Sequence, residues 1–353
     1  MNSFNRFLPL VGCCSFLVFL HYSFLIKLKQ FKFLLTGNSK TINKKRETYF
    51  YIDMLALTIL GNNSAIPAFD RLPTAQVLQT QEDAYLIDCG EGTQMQMAKY
   101  KIRRSKISNI FISHLHGDHF YGLPGVITSM SLMGRTQDLH LYAPAPLEKI
   151  LELLMDVAKT QLSYKLYFHP LTAEGEIMND NKMSVSCFKT QHRIECWGFL
   201  FKEKKNPRKI DGERIKSFEI PASFYERLQK GEDYVTKKGT IVPNSEVTIA
   251  APSPKSYCYC ADTIYDEALI ENAKGVDLLY HETTYLKDNE QKAAERFHST
   301  TIQAAAIAQK AQVKKLLIGH FSAKYEVLDD FLTEACSVFP DTELALQGSC
   351  YPI

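Results

Sequence analysis

The run Phe111-Ile-Ser-His114-Leu-His116-Gly-Asp118-His119 limits the folds open to this 353-residue chain more than any other stretch. Four potential metal ligands fall within six residues, directly after an apolar segment that reads as a strand, Ile107–Ile112, with a helix expected from about Phe120. In extended backbone His114 and His116 point to the same side, because side chains alternate along a strand. Asp118 and His119 are adjacent and address different points, and Gly117 permits the tight turn between the two pairs. The spacing suits two metal ions side by side, one on the His114/His116 pair and one on the Asp118/His119 pair. Imidazole and carboxylate without thiolate fit zinc, with manganese or iron also compatible.

Two four-coordinate metals need about eight ligand positions, so the rest must come from elsewhere in the chain. Three residues stand where apolar strands end: His192 after Met183–Lys189, Asp262 after Ser256–Cys260 and His320 after Leu316-Leu-Ile-Gly319. Asp262, with two carboxylate oxygens, is the natural bridge. Such a pair lowers the pKa of a shared water, and Asp118 can both ligate and accept a proton from it. The leaving oxygen then needs a proton donor. His281, in Tyr280-His-Glu-Thr283, is the candidate, with Glu282 as its orienting partner.

From Met54 onward short apolar strands alternate with helical stretches, tightly connected at first and interleaved with helices later. The helices expected include Thr93–Tyr100, Gly122–Met133, Pro146–Lys159, Ile264–Asn272, Thr301–Ala311 and Val327–Val338. This mixture predicts an α/β fold, a four-layer αββα sandwich with two sheets face to face and helices outside. One stretch breaks the pattern. Residues 202–239 carry 11 Lys/Arg and 7 Asp/Glu with Pro207 and Pro221, and read as an inserted, extended arm. Lys99, Lys101, Arg103, Arg104 and Lys106 form a second basic cluster, either a phosphate contact or a solvated face.

Residues 1–53 look foreign to this body. They hold 8 of the 41 Lys/Arg and 2 of the 39 Asp/Glu, leaving 33 against 37 in residues 54–353. The body is therefore not a generic polycation, and any nucleic acid must be held by local patches and metal. Phe7 to Ile26 is apolar and about long enough to span a bilayer, followed by Lys27, Lys29 and Lys32. The segment reads either as extraneous sequence ahead of a true start at Met54 or as a membrane anchor, and membrane contact is expected only if residues 7–26 are expressed. The nine cysteines are scattered with no CxxC pair, which suggests reduced thiols and a cytoplasmic body.

The ligand run is shared by the metallo-β-lactamase superfamily. Within it, residues 54–353 resemble the tRNase Z family of tRNA 3′-processing endonucleases. The likeness rests on Ile87-Asp-Cys-Gly-Glu-Gly-Thr-Gln94, on His114–His119, on His192-Arg-Ile-Glu195, on His281-Glu-Thr283, on His298-Ser-Thr-Thr-Ile-Gln-Ala-Ala305 and on Gly319-His-Phe-Ser322. The resemblance implies Zn2+, two per subunit. His114, His116, His192 and Asp262 would hold one, and Asp118, His119, Asp262 and His320 the other. It further implies a homodimer, precursor tRNA as substrate, cleavage after the discriminator base that leaves a 3′-hydroxyl, and an arm at residues 202–239 that grips tRNA. His298 matches a family position and is expected to support the site, its Ser-Thr neighbours also serving as a helix cap. Two departures bear on how tRNA is held: the arm has Ile220-Pro-Ala-Ser-Phe224 in place of a Gly-Pro motif, and Pro67-Ala-Phe-Asp-Arg-Leu72 stands where the family reads Pro-Ala-Lys-x-Arg-Asn. The alternatives on the same fold are a small-molecule hydrolase, which should not need the arm, another nuclease or cyclic phosphodiesterase, which precursor tRNA against cyclic nucleotides would distinguish, and a metal-free RNA-binding relative.

Overall fold

The computed structural model describes residues 55–353; the apolar run 7–26 and the rest of the N-terminal segment lie outside the described residues. Two seven-stranded sheets dominate. Strands of the first are β1 (Ala56–Gly61), β2 (Ala75–Gln79), β3 (Ala84–Cys89), β4 (Ile107–Phe111), β5 (Leu139–Pro144) and β6 (Leu166–Leu171). The second comprises β7 (Gly175–Asn179), β8 (Met183–Lys189), β9 (Trp197–Glu203), β10 (Ser256–Cys260), β11 (Leu278–Glu282), β12 (Leu316–Gly319) and β13 (Thr342–Leu344). The last strand, β14 (Cys350–Pro352), returns to pair with β1, so the first sheet runs β14-β1-β2-β3-β4-β5-β6 and the second β13-β12-β11-β10-β9-β8-β7. Pairing is parallel from β3 to β6 and from β10 to β13 and antiparallel elsewhere in the two sheets.

Alternation of side chains sorts the apolar residues into three layers. Leu57, Tyr85, Phe111, Phe199, Phe201, Tyr257 and Tyr280 pack between the sheets. Val77, Leu86 and Ile110 face α1 (Thr93–Lys99), α3 (Leu123–Leu132) and α4 (Pro146–Val157), with the one-turn helix α2 (Gly117–Phe120) between α1 and α3 in chain order. Leu279, Ile318 and Cys258 face α5 (Leu269–Ala273), α7 (Thr301–Lys310) and α8 (Asp329–Val338), with α6 (Glu290–Arg296) preceding α7. This is the αββα sandwich that the pattern of elements predicts. Seven cysteines among the described residues are free thiols, and no helix among them is long and apolar enough to cross a membrane.

The charged insertion differs from its expectation. It is not an extended arm ending near residue 239 but a small folded unit filling residues 204–255, between β9 and β10. Ile215, Ile220, Leu228, Val242 and Val247 close a core of their own. Two of these lie beyond Gly239, which is why charge alone set the boundary too early. The Asp211 carboxylate caps the helix Gly212–Ser217, and Glu203 N–H donates to the Lys255 carbonyl (2.8 Å) at the base.

Candidate functional site

The ligand candidates gather because the strands carrying them end on one side of the sandwich. His114 and His116 follow β4, His192 follows β8, Asp262 follows β10 and His320 follows β12. Ligand atoms of His114, His116, His192 and Asp262 all lie within 4.8 Å of one another, as do those of Asp118, His119 and His320. Asp262 joins the groups: its Oδ2 is 3.6 Å from His114 Nε2, 3.9 Å from His192 Nε2 and 3.5 Å from His119 Nε2, while Oδ1 is 3.3 Å from His320 Nε2. Asp118 Oδ2 is 3.6 Å from His119 Nε2, 3.4 Å from His320 Nε2, and accepts from Ala65 N–H at 2.7 Å.

The direction of the surrounding hydrogen bonds settles what the rings present to the centre. Asp88, an acceptor when ionised, receives His119 Nδ1–H (2.8 Å) and the Ser113 hydroxyl (2.8 Å). Ser113 Oγ, its proton thus committed, accepts from His114 Nδ1 (3.0 Å). The Phe297 carbonyl accepts from His192 Nδ1 (2.8 Å). Thr284 Oγ1 donates to Glu282 Oε2 (2.8 Å) and so accepts from His320 Nδ1 (2.9 Å). With Nδ1 engaged in this way, four rings turn their Nε2 atoms inward, where no other protein donor or acceptor meets them except one another, His116 and the carboxylates. His119 and His320 Nε2 are 3.2 Å apart, and His116 Nδ1 sits 3.0 Å from His114 Nε2 and 3.1 Å from His192 Nε2. Ring nitrogens this close need a proton or a cation between them. They fit a cation, whose tetrahedral nitrogen ligands at about 2.0–2.1 Å would stand about 3.3 Å apart. Asp262 Oδ1, buried and without a hydrogen bond, fits the same reading.

Electrostatics divide the rings: burial opposes the charge on His119, but Asp262, Asp118 and Asp88 outweigh it and push that ring well above its ordinary pKa, so a proton is held there wherever a cation is not. Burial, then the neighbouring His119, hold the His114 ring well below its ordinary pKa, and burial with His192 brings His116 down to about 4. Burial opposes the charge on Asp262, but His320 and His119 outweigh it and hold the carboxyl well below the usual range. The backbone is strained here: Ala65, Asp88, Phe297 and His320 all adopt left-handed φ values of 54–64° without being glycine. Each costs on the order of 1–3 kcal/mol, and all four touch the ligand set directly or through one hydrogen bond.

His281 does not take the place expected of it. On β11, Leu278, Tyr280 and Glu282 face the inter-sheet core and the site, so His281 points to the opposite face with Leu279. It is 1% exposed, its Nδ1 is bound to the Glu282 carbonyl (2.7 Å) and its Nε2 has no partner. His298 is the histidine of the two that faces the cleft. It lines a cleft of about 460 Å3 beside His116, Asp118 and Asp262, and its Nδ1 is 3.2 Å from Glu282 Oε1. Burial lowers the proton affinity of the His298 ring, but the charge and hydrogen bond of Glu282, reinforced by Asp262, outweigh it and raise the pKa. Glu282 is fixed in turn by Ser299 N–H (2.7 Å) and Thr284 N–H (2.8 Å). The neighbouring Thr300 caps α7 through a capping box with Gln303. The orienting roles of Asp88, Ser113 and Thr284 are not legible from spacing. Only Asp88, an acid closing an apolar strand, leaves a trace in the sequence.

Fold and cluster together define a metal-binding hydrolase of the metallo-β-lactamase fold. A family model described as anti-Pycsar protein Apyc1 matches residues 55–206, which include the His114–His119 run but not Asp262 or His320. Ribonuclease Z of Bacteroides thetaiotaomicron is 40% identical over 304 residues, covering 86% of this chain and 96% of that protein. Ribonuclease Z of Phocaeicola vulgatus is 43% identical over 289 residues, covering 81% and 94%. Among solved structures, human tRNase Z, short form, superposes with a TM-score of 0.62 at 26% identity, over 84% of this chain and 100% of that one. The chain belongs to the ribonuclease Z family, and it is an endoribonuclease.

Proposed function

We propose that this enzyme removes the 3′ trailer from precursor tRNA, using two zinc ions held by His114, His116, His192 and Asp262 and by Asp118, His119, Asp262 and His320. The observation that carries the reading is the inward convergence of histidine nitrogens around the shared Asp262 carboxylate. Bound there, the metals supply an activated water at neutral pH and neutralise charge on the attacked phosphate. Asp118, anchored through Oδ2 by Ala65 N–H, takes the water's proton. His298, kept protonated by Glu282, gives its proton to the departing 3′ oxygen as the phosphorus–oxygen bond breaks. The products are a tRNA 3′-hydroxyl and a trailer with a 5′-phosphate. The folded insertion 204–255 serves as the tRNA grip, and the enzyme acts as a homodimer.

The test is incubation of the purified chain with end-labelled precursor tRNA, with and without a chelator. Trailer release at one position, lost with chelator and restored by zinc, is expected. Intact precursor beside efficient hydrolysis of a small phosphodiester overturns the substrate assignment and favours another phosphodiesterase of the same fold.

A further inference from the structure

Away from the metal cluster, Arg104 and Arg135 line a second cavity of about 320 Å3 with Ile102, Ser105, Met130 and Met133. Arg135 is 7% exposed. Its Nε and Nη2 donate to the carbonyls of Gln137 and Asp138 (both 2.7 Å), which leaves Nη1 buried without a partner. Arg104 donates Nη2 to the Gln94 carbonyl (3.1 Å) and Nη1 to Met133 Sδ (3.3 Å), and its Nε is likewise buried and unpartnered. Guanidinium does not deprotonate in proteins, so these two N–H groups cannot be silenced by losing a proton. Asp138 lies close enough to act on the Arg135 charge but touches it only through the main-chain carbonyl.

The surroundings share the same imbalance. Neither Arg104 nor Arg135 forms an ion pair among the described residues, and Lys99, Lys101, Arg103 and Lys106, which flank Arg104 in sequence, form none either. Two guanidinium groups lining one cavity, each with an unsatisfied N–H and no carboxylate paired to it, attract an anion. Tetrahedral oxyanions with several acceptor oxygens match the arginine fork best. The cavity also has a relation to the cleft. Arg104 bonds to Gln94 in the first turn of α1, three residues after Glu91, which lines the catalytic cleft.

We infer that the Arg104–Arg135 cavity binds a phosphate group of the RNA chain outside the cleavage site. The inference rests on the reading of the substrate as RNA. The shared chemistry, a phosphate oxyanion, could also come from a free nucleotide, and the test separates the two. Holoenzyme with wild-type sequence, Arg104→Gln or Arg135→Lys is titrated calorimetrically with inorganic phosphate and adenosine 5′-monophosphate. Precursor tRNA affinity is measured across a salt series, with melting temperature and metal content as checks on folding. Arg104→Gln, half-exposed, keeps the test alive if the Arg135 variant does not fold. The wild type is expected to bind one phosphate more per chain than Arg104→Gln. The variant's affinity for precursor tRNA should fall about 5–10-fold, with the slope of log affinity against log salt shallower by about 1. Equal phosphate stoichiometry overturns the site. Lost phosphate binding with an unchanged tRNA salt slope overturns the RNA assignment and points to a free nucleotide. A change confined to dimer dissociation overturns both in favour of a protein contact. If no precursor is cut by the wild type, the substrate reading fails, while the stoichiometry still decides the cavity.

Discussion

Asp88→Asn removes one formal charge and no volume, yet it should cost the enzyme much of its hold on metal. The carboxylate is 0% exposed and accepts four hydrogen bonds: Ser113 N–H at 2.7 Å on Oδ1, and Ser113 Oγ–H (2.8 Å), His119 Nδ1–H (2.8 Å) and Tyr259 O–H (2.6 Å) on Oδ2. An amide can be placed there in two ways. With its oxygen in the Oδ2 position, its NH2 meets Ser113 N–H, and a buried donor is orphaned at a cost of about 1–3 kcal/mol. With its nitrogen there, it faces His119 Nδ1. His119 must then accept, its proton moves to Nε2, and the metal-facing lone pair is lost. Both placements also weaken ring basicity. Losing such a partner typically lowers metal affinity about 10–100-fold, or about 1.4–2.8 kcal/mol. The assay is zinc retention against a chelator of known affinity, with melting temperatures of the metal-loaded and metal-free proteins. Chelator midpoints that coincide with wild type, together with unchanged melting of both forms, would refute the reasoning.

The proton-donor assignment predicts that His298→Ala lowers kcat on precursor tRNA by about 10²–10⁴ with little change in KM, whereas His281→Ala lowers the melting temperature more than turnover. Equal kinetic damage from both would count against it. Because a donor works only when protonated, and Glu282 raises the His298 pKa, kcat should fall as pH rises through that raised value; Glu282→Gln should move the fall to lower pH. A pH profile indifferent to Glu282→Gln would be inconsistent with the relay. Replacing residues 205–254 by a short turn should abolish tight tRNA binding while a small phosphodiester is still hydrolysed, since the insertion closes its own core and rejoins the sheet at Glu203–Lys255. Undiminished tRNA affinity would show that the grip lies elsewhere.

Much of this arrangement is legible in the sequence. Strands Met183–Lys189 and Ser256–Cys260 stand where apolar alternation puts them, and the ligand candidates follow from strand ends. What the pattern conveys is period, not phase. His281 sits in the right strand, but which of two faces it takes depends on Leu278 and Tyr280 packing inward, a fact about partners distant in sequence. Helix Ile264–Asn272 begins only at Leu269, because Ile264 N–H is held by the Gln191 carbonyl (3.0 Å) in the ligand loop. The edge strands Leu166–Leu171 and Gly175–Asn179 carry Pro170 and Gly175 and are only partly buried, so they have little periodic signal. The Phe297 carbonyl that fixes His192 belongs to backbone geometry and has no residue-type signature at all.

The centre draws its donors from both halves of the sandwich, His114 to His119 from one sheet and His192, Asp262 and His320 from the other. Elsewhere the halves meet through a mainly apolar layer crossed by a few hydrogen bonds, such as Tyr259 to Asp88, and such a layer tolerates small slippage. A cation bridging the seam acts as a rivet with rigid length requirements. Drift of one half against its mate, harmless to folding, would be felt first as a misfit at the rivet, so variants deep in the aromatic layer should lose turnover before they lose their shape.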